Sequence, residues 1–265
     1  STIKSKKYDK NSLYNIITDS KFNTKYTNTI RQLGNKIKDH RYQAPISKYI
    51  NDFEFIDFIA DTNNKYNRAY YKISEILLNN PIIEKTNIKY LALAEAPGNF
   101  VRYIRNFINN NNPSWNNFDI ITLLTHDELI SQQNFIQEFE QHIFKPNNDY
   151  TGDLTKSKNI DLYLQSSTEK ADLITADGGI NKKDDIDYKL EELLHLPLFL
   201  GEAITAILNQ AVNGTFIMKI FNIIDINTVN IIYLLSTFYQ NVNVIKPYTS
   251  RPHNTEKYII CSGFI

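Results

Sequence analysis

Residues 89–108 read KYLALAEAPGNFVRYIRNFI, and this stretch decides the fold class. Its first part, 89–94, is a short apolar run that is typical of a buried strand, whereas 100–108 repeats apolar residues at helical spacing. The small residues between them form a turn that lets a ligand approach the backbone, with the first amides of the helix pointing towards it. On its own, the turn is also compatible with a plain connection between a strand and a helix.

The same alternation of strand and helix patterns continues outward from this stretch. We predict further strands over 119–124, 172–176, 214–220, 242–246 and 257–260, and further helices over 68–78, 189–212 (interrupted by Pro197) and 228–238. Strands separated by helices predict an α/β fold whose largely parallel sheet is covered by helices on both faces. Because such sheets bind ligands at the carboxyl ends of their strands, we expect the site in the residues that follow each strand.

The composition favours one large domain preceded by an N-terminal extension, since the chain has 265 residues, 42% of them hydrophobic and 22% charged. The single cysteine, Cys261, excludes an intrachain disulfide and favours a reducing compartment, where it would be a small buried side chain.

No stretch approaches the roughly 18 to 20 apolar residues of a membrane span, so we expect no membrane association. The over-use of Asn, Ile, Lys and Tyr is typical of AT-rich genomes, such as those of parasites or large DNA viruses. We therefore expect a cytoplasmic location, which for a viral protein means the host cytoplasm or the virion.

The charges are unevenly distributed, although the formal net charge is zero. Residues 1–50 carry eleven Lys and Arg side chains against three Asp side chains. Such a basic arm would attract a phosphate backbone, but a solvated tail has the same composition, and both interpretations stay open. We divide the chain into an extension over 1–64, basic and partly helical, and a domain over 65–265.

Two charged residues occupy positions where a structural role is uncommon. Asp177 directly follows the predicted strand 172–176 and precedes two glycines, at a strand end where acids usually contact a ligand. Lys219 lies inside the apolar strand 214–220. Desolvation and a neighbouring positive charge would lower the pKa of Lys219, whereas a carboxylate such as Asp177 would raise it, and the sequence leaves this balance open.

Five segments in register resemble the FtsJ-like ribose 2′-O-methyltransferases, and the cap-modifying branch of that family most of all. They are NRAYYKI (67–73), AEAPGNF (94–100), ADGG (176–179), GTFIMK (214–219) and TSRPHNTEKY (249–258). The resemblance runs from about residue 65 to the C-terminus. It implies a Rossmann-like methyltransferase fold with a mostly parallel, seven-stranded sheet, helices on both faces and an N-terminal extension.

The resemblance also implies the residues of the site. The family's catalytic tetrad selects Lys72, Asp177, Lys219 and Glu256. Its cofactor, S-adenosyl-L-methionine, selects Ala96, Pro97, Gly98, Asn99, Phe100, Asp153 and Asp177 as contacts, and its RNA substrate selects Ser250 and Arg251. Two departures weaken the expected ribose contacts. Ala92 stands where many members have an acid, and 125–128 offers no clear ribose-binding acid at the end of the second strand. The five histidines are isolated in the sequence, so we expect no obligatory metal.

The resemblance implies methyl transfer to a ribose 2′-hydroxyl of RNA, and we expect the first transcribed nucleotide of capped mRNA as the substrate, a conversion of cap-0 to cap-1. Lys219 would be the base, oriented by Asp177 and Glu256. Ribosomal or transfer RNA as the substrate stays open, as does a noncatalytic RNA-binding subunit of a capping or polymerase complex, and the enzyme itself could require such a partner protein. Aromatic and acidic residues of the extension could hold a cap by stacking, namely Tyr42, Tyr49, Phe53, Glu54, Phe55 and Asp57. We also predict that Gly98→Val weakens cofactor binding without unfolding the chain.

Overall fold

Helices and strands alternate along the part of the chain that the computed structural model describes, residues 66–80, 87–180, 188–251 and 254–265. The helices are α1 (Arg68–Asn79), α2 (Asn99–Asn109), α3 (His126–Ser131), α4 (Gln133–Phe139), α5 (Ser157–Ser166), α6 (Tyr188–Asn209) and α7 (Ile226–Phe238). The strands are β1 (Tyr90–Leu93), β2 (Phe118–Ile121), β3 (Ala171–Ala176), β4 (Gln210–Ile220), β5 (Tyr239–Ile245) and β6 (Lys257–Phe264). The predicted N-terminal extension, with its candidate cap-binding residues, lies outside these ranges.

The strands form one mixed sheet in the order β2-β1-β3-β4-β6-β5. The pairs β1–β2, β1–β3 and β3–β4 are parallel, and β6 runs antiparallel to both β4 and β5. Parallel neighbours require a crossover connection, whereas β5 and β6 are joined by a short segment, 246–256, which is compatible with antiparallel pairing. The reversal brings the start of β6 beside the end of β4.

A seventh strand is not confirmed, because the described residues contain six strands. One isolated parallel bridge, between Ile120 and Ile143, lies on the free side of β2. The Ile120 amide donates to the His142 carbonyl at 2.8 Å, and the Phe144 amide donates to the Ile120 carbonyl at 2.9 Å. The segment following α4 therefore makes one bridge at this edge but is too short to form a strand there.

Helices cover both faces of the sheet, as predicted. The core of one face contains buried residues of α1, α2 and α4, including Ile73, Ile104 and Phe139. The core of the other face contains buried residues of α5, α6 and α7, including Phe199 and Leu235. Successive strand side chains enter opposite cores because their direction alternates with a period of two. A ligand can thus reach the sheet only at the strand ends and the loops that follow them.

Helix α6 differs from its prediction in two respects. It continues through Pro197 without interruption, and it ends at Asn209, not at residue 212, because Gln210 already belongs to β4. The Gln210 side-chain amide donates to the Ala171 carbonyl at 2.7 Å and its oxygen accepts from Tyr239 at 2.9 Å, which ties it to the sheet.

Helix α6 also changes the expectation that no stretch approaches a membrane span. Its segment Glu192–Asn209 is long and apolar enough to cross a membrane by length and composition, with a mean hydropathy of 1.2, and half of it is buried within the fold. Phe199 and Ala203 of this segment pack in the core of the sheet. The apolar character is therefore that of a helix that packs against a sheet.

Candidate active site

The predicted catalytic residues meet at one end of the sheet, the edge at which the parallel strands β1, β3 and β4 have their carboxyl ends. Asp177 directly follows β3, and Lys219 is the penultimate residue of the parallel neighbour β4. Glu256 directly precedes β6, whose antiparallel direction places its first residues against the last residues of β4. Lys72 reaches the same edge from α1, where it is one of the buried residues. The four residues therefore come from elements that are distant in the sequence but adjacent at this edge.

Lys72 and Glu256 form a nearly enclosed ion pair. The Lys72 Nζ atom lies 2.7 Å from Oε1 and 2.9 Å from Oε2 of Glu256, and the two side chains are only 11% and 9% exposed. The Ser250 hydroxyl donates to Glu256 Oε1 at 2.9 Å. Burial raises the pKa of Glu256, but Lys72, Lys219 and the Ser250 hydrogen bond together hold it below its ordinary value. Glu256 is therefore an anion that keeps Lys72 in place.

Lys219 and Asp177 form the second pair. The Lys219 Nζ atom donates to the Asp177 carbonyl oxygen at 2.7 Å and lies 3.3 Å from Asp177 Oδ1. The Tyr258 hydroxyl donates to the same Oδ1 at 3.0 Å. Desolvation lowers the pKa of Lys219, but the charges of Asp177, Glu256 and Glu202 outweigh it and raise that pKa above its ordinary value. The sequence left open whether desolvation or the carboxylates decide the pKa of Lys219, and in the structure the carboxylates favour the protonated amine.

Two buried acids that the sequence did not predict as site residues lie next to this cluster. Glu202 of α6 is fully buried, and a methyl group added to Gly178 would overlap its carboxylate. Neither carboxylate oxygen of Glu202 makes a hydrogen bond of ordinary geometry. Desolvation, with a contribution from Asp177, raises the pKa of Glu202 to about 8, although Lys219 and the Gly178 amide lower it. No spacing in the sequence distinguishes this acid from others on amphipathic helices.

The second missed acid, Glu95, lies within the turn between β1 and α2. Its Oε1 atom accepts from the Phe100 amide at 2.8 Å, and its Oε2 atom has no hydrogen-bond partner. Desolvation and the charge of Asp177 raise the pKa of Glu95 well above its ordinary value. A carboxyl group therefore caps the start of α2, whereas the sequence predicted amides that point towards a ligand.

The predicted cofactor turn, 94–100, has an unusual backbone. Ala94 has a φ of 51° and Gly98 a φ of 87°, and the Ala96–Pro97 peptide bond is cis. The side chains of Asn99 and Phe100 are buried, whereas Ala96 is half-buried and Pro97 is exposed. Of the predicted cofactor contacts in this turn, Ala96 and Pro97 are thus the accessible side chains.

The turn also lies against the Asp177 segment. The Asp177 amide donates to the Leu93 carbonyl at 3.4 Å, and a methyl group at Gly178 would lie 2.9 Å from the Ala94 side chain. Asp153, the remaining predicted cofactor contact, is at the end of the neighbouring strand β2, where the Leu124 amide donates to the Thr151 carbonyl at 2.7 Å. Asp153 Oδ1 accepts from the amide and hydroxyl of Thr155 at 2.9 and 2.7 Å. The candidate cofactor residues therefore share one edge of the sheet.

The segment 246–256, which carries the predicted RNA contacts, is held together by hydrogen bonds between its own residues. Lys246 Nζ donates to Asn254 Oδ1 at 2.7 Å and to the Glu256 carbonyl at 3.0 Å. Ser250 is buried and bonded to Glu256, so its hydroxyl belongs to the ion-pair cluster, whereas Arg251 is exposed. The residues between them and Asn254, 252–253, lie outside the described part of the chain.

Within residues 66–80, 87–180, 188–251 and 254–265, no group of three or more His, Cys, Asp or Glu side chains could hold a metal ion. His195 accepts a hydrogen bond from the Ile180 amide at 3.0 Å and stacks on Phe199 in the core. Cys261 is buried in β6, where desolvation raises the pKa of its thiol. Neither residue is part of the cluster at the sheet edge.

A mixed sheet in the order β2-β1-β3-β4-β6-β5, with a small-residue turn after β1 and an acid after its neighbour β3, has the fold of the Rossmann-like methyltransferases. The family model of the FtsJ-like methyltransferases matches residues 66–264, and the chain belongs to this family.

Three relatives illustrate the range of similarity. The cap-specific mRNA (nucleoside-2′-O-)-methyltransferase 2 of Drosophila melanogaster is 26% identical over 215 residues, which are 74% of this chain and 29% of that protein. The cap-specific mRNA (nucleoside-2′-O-)-methyltransferase 1 of Dictyostelium discoideum is 34% identical over 137 residues, 50% of this chain and 17% of that protein. The "Probable methyltransferase EP424R" of African swine fever virus is 36% identical over 122 residues, 44% of this chain and 28% of that protein. The matched region is less than a third of each relative.

Proposed function

We propose that this protein transfers a methyl group from S-adenosyl-L-methionine to a ribose 2′-hydroxyl of RNA, at the first transcribed nucleotide of capped mRNA. The observation that carries this proposal is the junction of two Lys–acid pairs, Lys72–Glu256 and Lys219–Asp177, beside the turn 94–100. Family membership and the names of the relatives support the reaction and the substrate. The expected cytoplasmic location stays a prediction, as does the need for a capping or polymerase partner.

The accessible residues fit the cofactor. Ala96 and Pro97 present accessible side chains in the turn, and Asp153 offers a carboxylate at the same end of the sheet. The cofactor supplies an electrophilic methyl group on a sulfonium when it is bound. Asn99 and Phe100 would contact it only through their backbones, and the Phe100 amide is already bonded to Glu95.

The two Lys–acid pairs have different roles in the reaction. A ribose hydroxyl is a very weak acid, so the reaction requires a group that removes its proton and an environment that stabilises the developing charge. We assign proton removal to Lys219 and charge stabilisation to Lys72, with Asp177 and Glu256 as the residues that orient them. Because the neighbouring acids keep Lys219 protonated, its amine must lose a proton before it can accept one from the hydroxyl.

The test is methyl transfer from tritiated S-adenosylmethionine to three RNAs of one sequence, which differ only at the 5′ end. One carries a methylated cap, one an unmethylated cap and one a 5′ triphosphate. We expect label on the capped RNAs, in an alkali-resistant dinucleotide at the first transcribed position. Asp177→Asn serves as the inactive control.

Different outcomes identify different errors. Equal labelling of all three RNAs would show that the enzyme does not require a cap on its substrate. Ribosomal and transfer RNA are tested in the same assay, and label on these alone would favour the alternative substrate class within the family. Cofactor binding without labelling of any RNA would favour a noncatalytic RNA-binding subunit.

A further inference from the structure

Helix α1 clamps the backbone of the segment 246–256 immediately next to the ion-pair cluster. Glu75 accepts from the Tyr248 amide with Oε1 at 2.8 Å and from the Thr249 amide with Oε2 at 2.9 Å. Arg68 donates to the Thr249 carbonyl at 3.3 Å. Arg68, Lys72 and Glu75 occupy one face of the helix because their spacing is i, i+4, i+7. The helix face that fixes Lys72 on Glu256 therefore also fixes the backbone of Tyr248.

The Tyr248 side chain is nearly fully exposed although its backbone is fixed. It is 96% exposed, more than any other exposed large hydrophobic side chain among the described residues. Tyr248 lies two residues before Ser250, whose hydroxyl is bonded to Glu256. Two residues of extended chain span at most about 7 Å, so the Tyr248 backbone is within one nucleotide's reach of the catalytic cluster.

We propose that Tyr248 is a stacking platform for a nucleobase of the RNA substrate, next to the nucleotide whose ribose is methylated. This inference rests on the proposed function. An exposed aromatic ring on a fixed backbone loses little conformational entropy when a base stacks on it. Stacking is also tolerant of sequence because every base has an aromatic face, which suits an enzyme that acts on many transcripts.

A nucleobase is favoured over a protein side chain by the position of the ring. The neighbouring residues of the segment lead directly into the ion-pair cluster, and the exposed Arg251 adds a positive charge three residues away. The substrate strand must pass this segment to present its ribose to Lys219 and Asp177. A partner protein at the same place would block the path of the RNA.

The test uses the full chain, a short capped RNA, and matched RNAs in which one nucleotide at a time is abasic, with S-adenosylhomocysteine present to prevent turnover. We expect Tyr248→Ala to raise the Kd for the intact RNA about 5- to 150-fold. One abasic position should raise the wild-type Kd by a similar factor, and the two losses should not add. Tyr248→Phe should bind like the wild type, as should Tyr233→Ala, which removes a half-exposed tyrosine of α7 on the opposite face of the sheet.

Two results would overturn the inference without touching the proposed function. In the first, the wild type methylates the RNA and Tyr248→Ala binds it equally well. In the second, the loss caused by Tyr248→Ala adds to the loss at every abasic position, so that the ring contacts something other than a base. A wild-type protein that neither binds nor methylates any of the RNAs would instead refute the proposed function, and the inference with it.

Discussion

The Lys72 ammonium meets the Glu256 carboxylate at 2.7 Å, although 184 residues separate the two in the chain. This contact joins helix α1, which precedes the first strand, to the entry of β6, the last strand. It is nearly enclosed, and Ser250 completes the bonding of the carboxylate. A closed pair of this kind positions Lys72 for catalysis and also makes the fold depend on both partners.

Replacing Lys72 by methionine should therefore destabilise the protein as well as inactivate it. Removing one partner of a buried pair leaves the other charge uncompensated, which costs about 3 to 5 kcal/mol. The native pKa of Glu256 is below its ordinary value, so the pair stabilises the protein at neutral pH and the contribution is lost as the pH falls through that pKa. Urea denaturation should show a large deficit for the variant at pH 7 and a smaller one near pH 4.

The double variant Lys72→Met/Glu256→Gln provides the control. It removes the buried charge along with its partner, so it should recover part of the stability that the single variant loses. A single variant that is as stable as the wild type at pH 7 would contradict the enclosed pair.

Glu75→Gln should loosen the backbone next to Tyr248. A glutamine has a single acceptor oxygen, so one of the two backbone amides would face an NH₂ group that cannot accept its hydrogen bond. We expect faster hydrogen exchange at the Tyr248 and Thr249 amides, with exchange in α7 unchanged, and a loss of about 0.5 to 1.5 kcal/mol in the free energy of unfolding. Unchanged exchange at both amides would mean that Glu75 does not hold this segment.

The sequence predicted the strands better than the short helices. Strands β1, β3 and β4 are apolar runs that end in turn or acidic residues, and each was found within a few residues of its bounds. Helices α3, α4 and α5 were missed, because short helices carry too few turns for a periodic pattern to be distinguished from a loop. The direction of β6 was also missed, since strand direction depends on the connection and leaves no mark on the strand itself.

Within the candidate site, residues that belong to a sequence motif are predicted better than residues whose role depends only on their burial. Lys72, Asp177, Lys219 and Glu256 were identified by motif, and the structure brings them together. Glu95 and Glu202 were missed because their significance comes from tertiary burial beside Asp177. The effect of a substitution at Gly98 likewise depends on tertiary packing, which the sequence does not reveal. A side chain there would collide with the Phe135 ring at a φ of 87°, so Gly98→Val should disturb the fold, contrary to the sequence-based expectation.

Glu202 should make the protein less stable at alkaline pH. Its pKa is raised from an ordinary value of 4.5 to about 8, so the native state retains a proton that the unfolded chain releases. The contribution of this group is complete below pH 4.5 and declines by about 1.4 kcal/mol per pH unit until the native pKa is reached. Glu202→Gln, which cannot titrate, should lack this decline.

The measurement is the free energy of unfolding of both proteins from pH 5 to pH 9. We expect the stability of Glu202→Gln relative to the wild type to increase by about 4 kcal/mol across this range. Parallel pH profiles would show that Glu202 ionises in the native protein as it does in the unfolded chain.

Lys219→Arg separates proton removal from charge stabilisation. A guanidinium retains the positive charge but keeps its proton at any accessible pH, so it cannot act as a base. If Lys219 removes the hydroxyl proton, the variant should lose about 10²- to 10⁴-fold in the single-turnover rate while cofactor affinity is unchanged. The pKa of Lys219 is raised, so in the wild type the reactive, unprotonated fraction should grow about tenfold per pH unit across pH 7 to 9, and the rate with it. The arginine variant should lack this rise, and Lys219→Ala should be inactive at every pH. An arginine variant that retains most of the turnover and the same pH slope would make Lys219 a charge stabiliser, with Asp177 as the first candidate for the base.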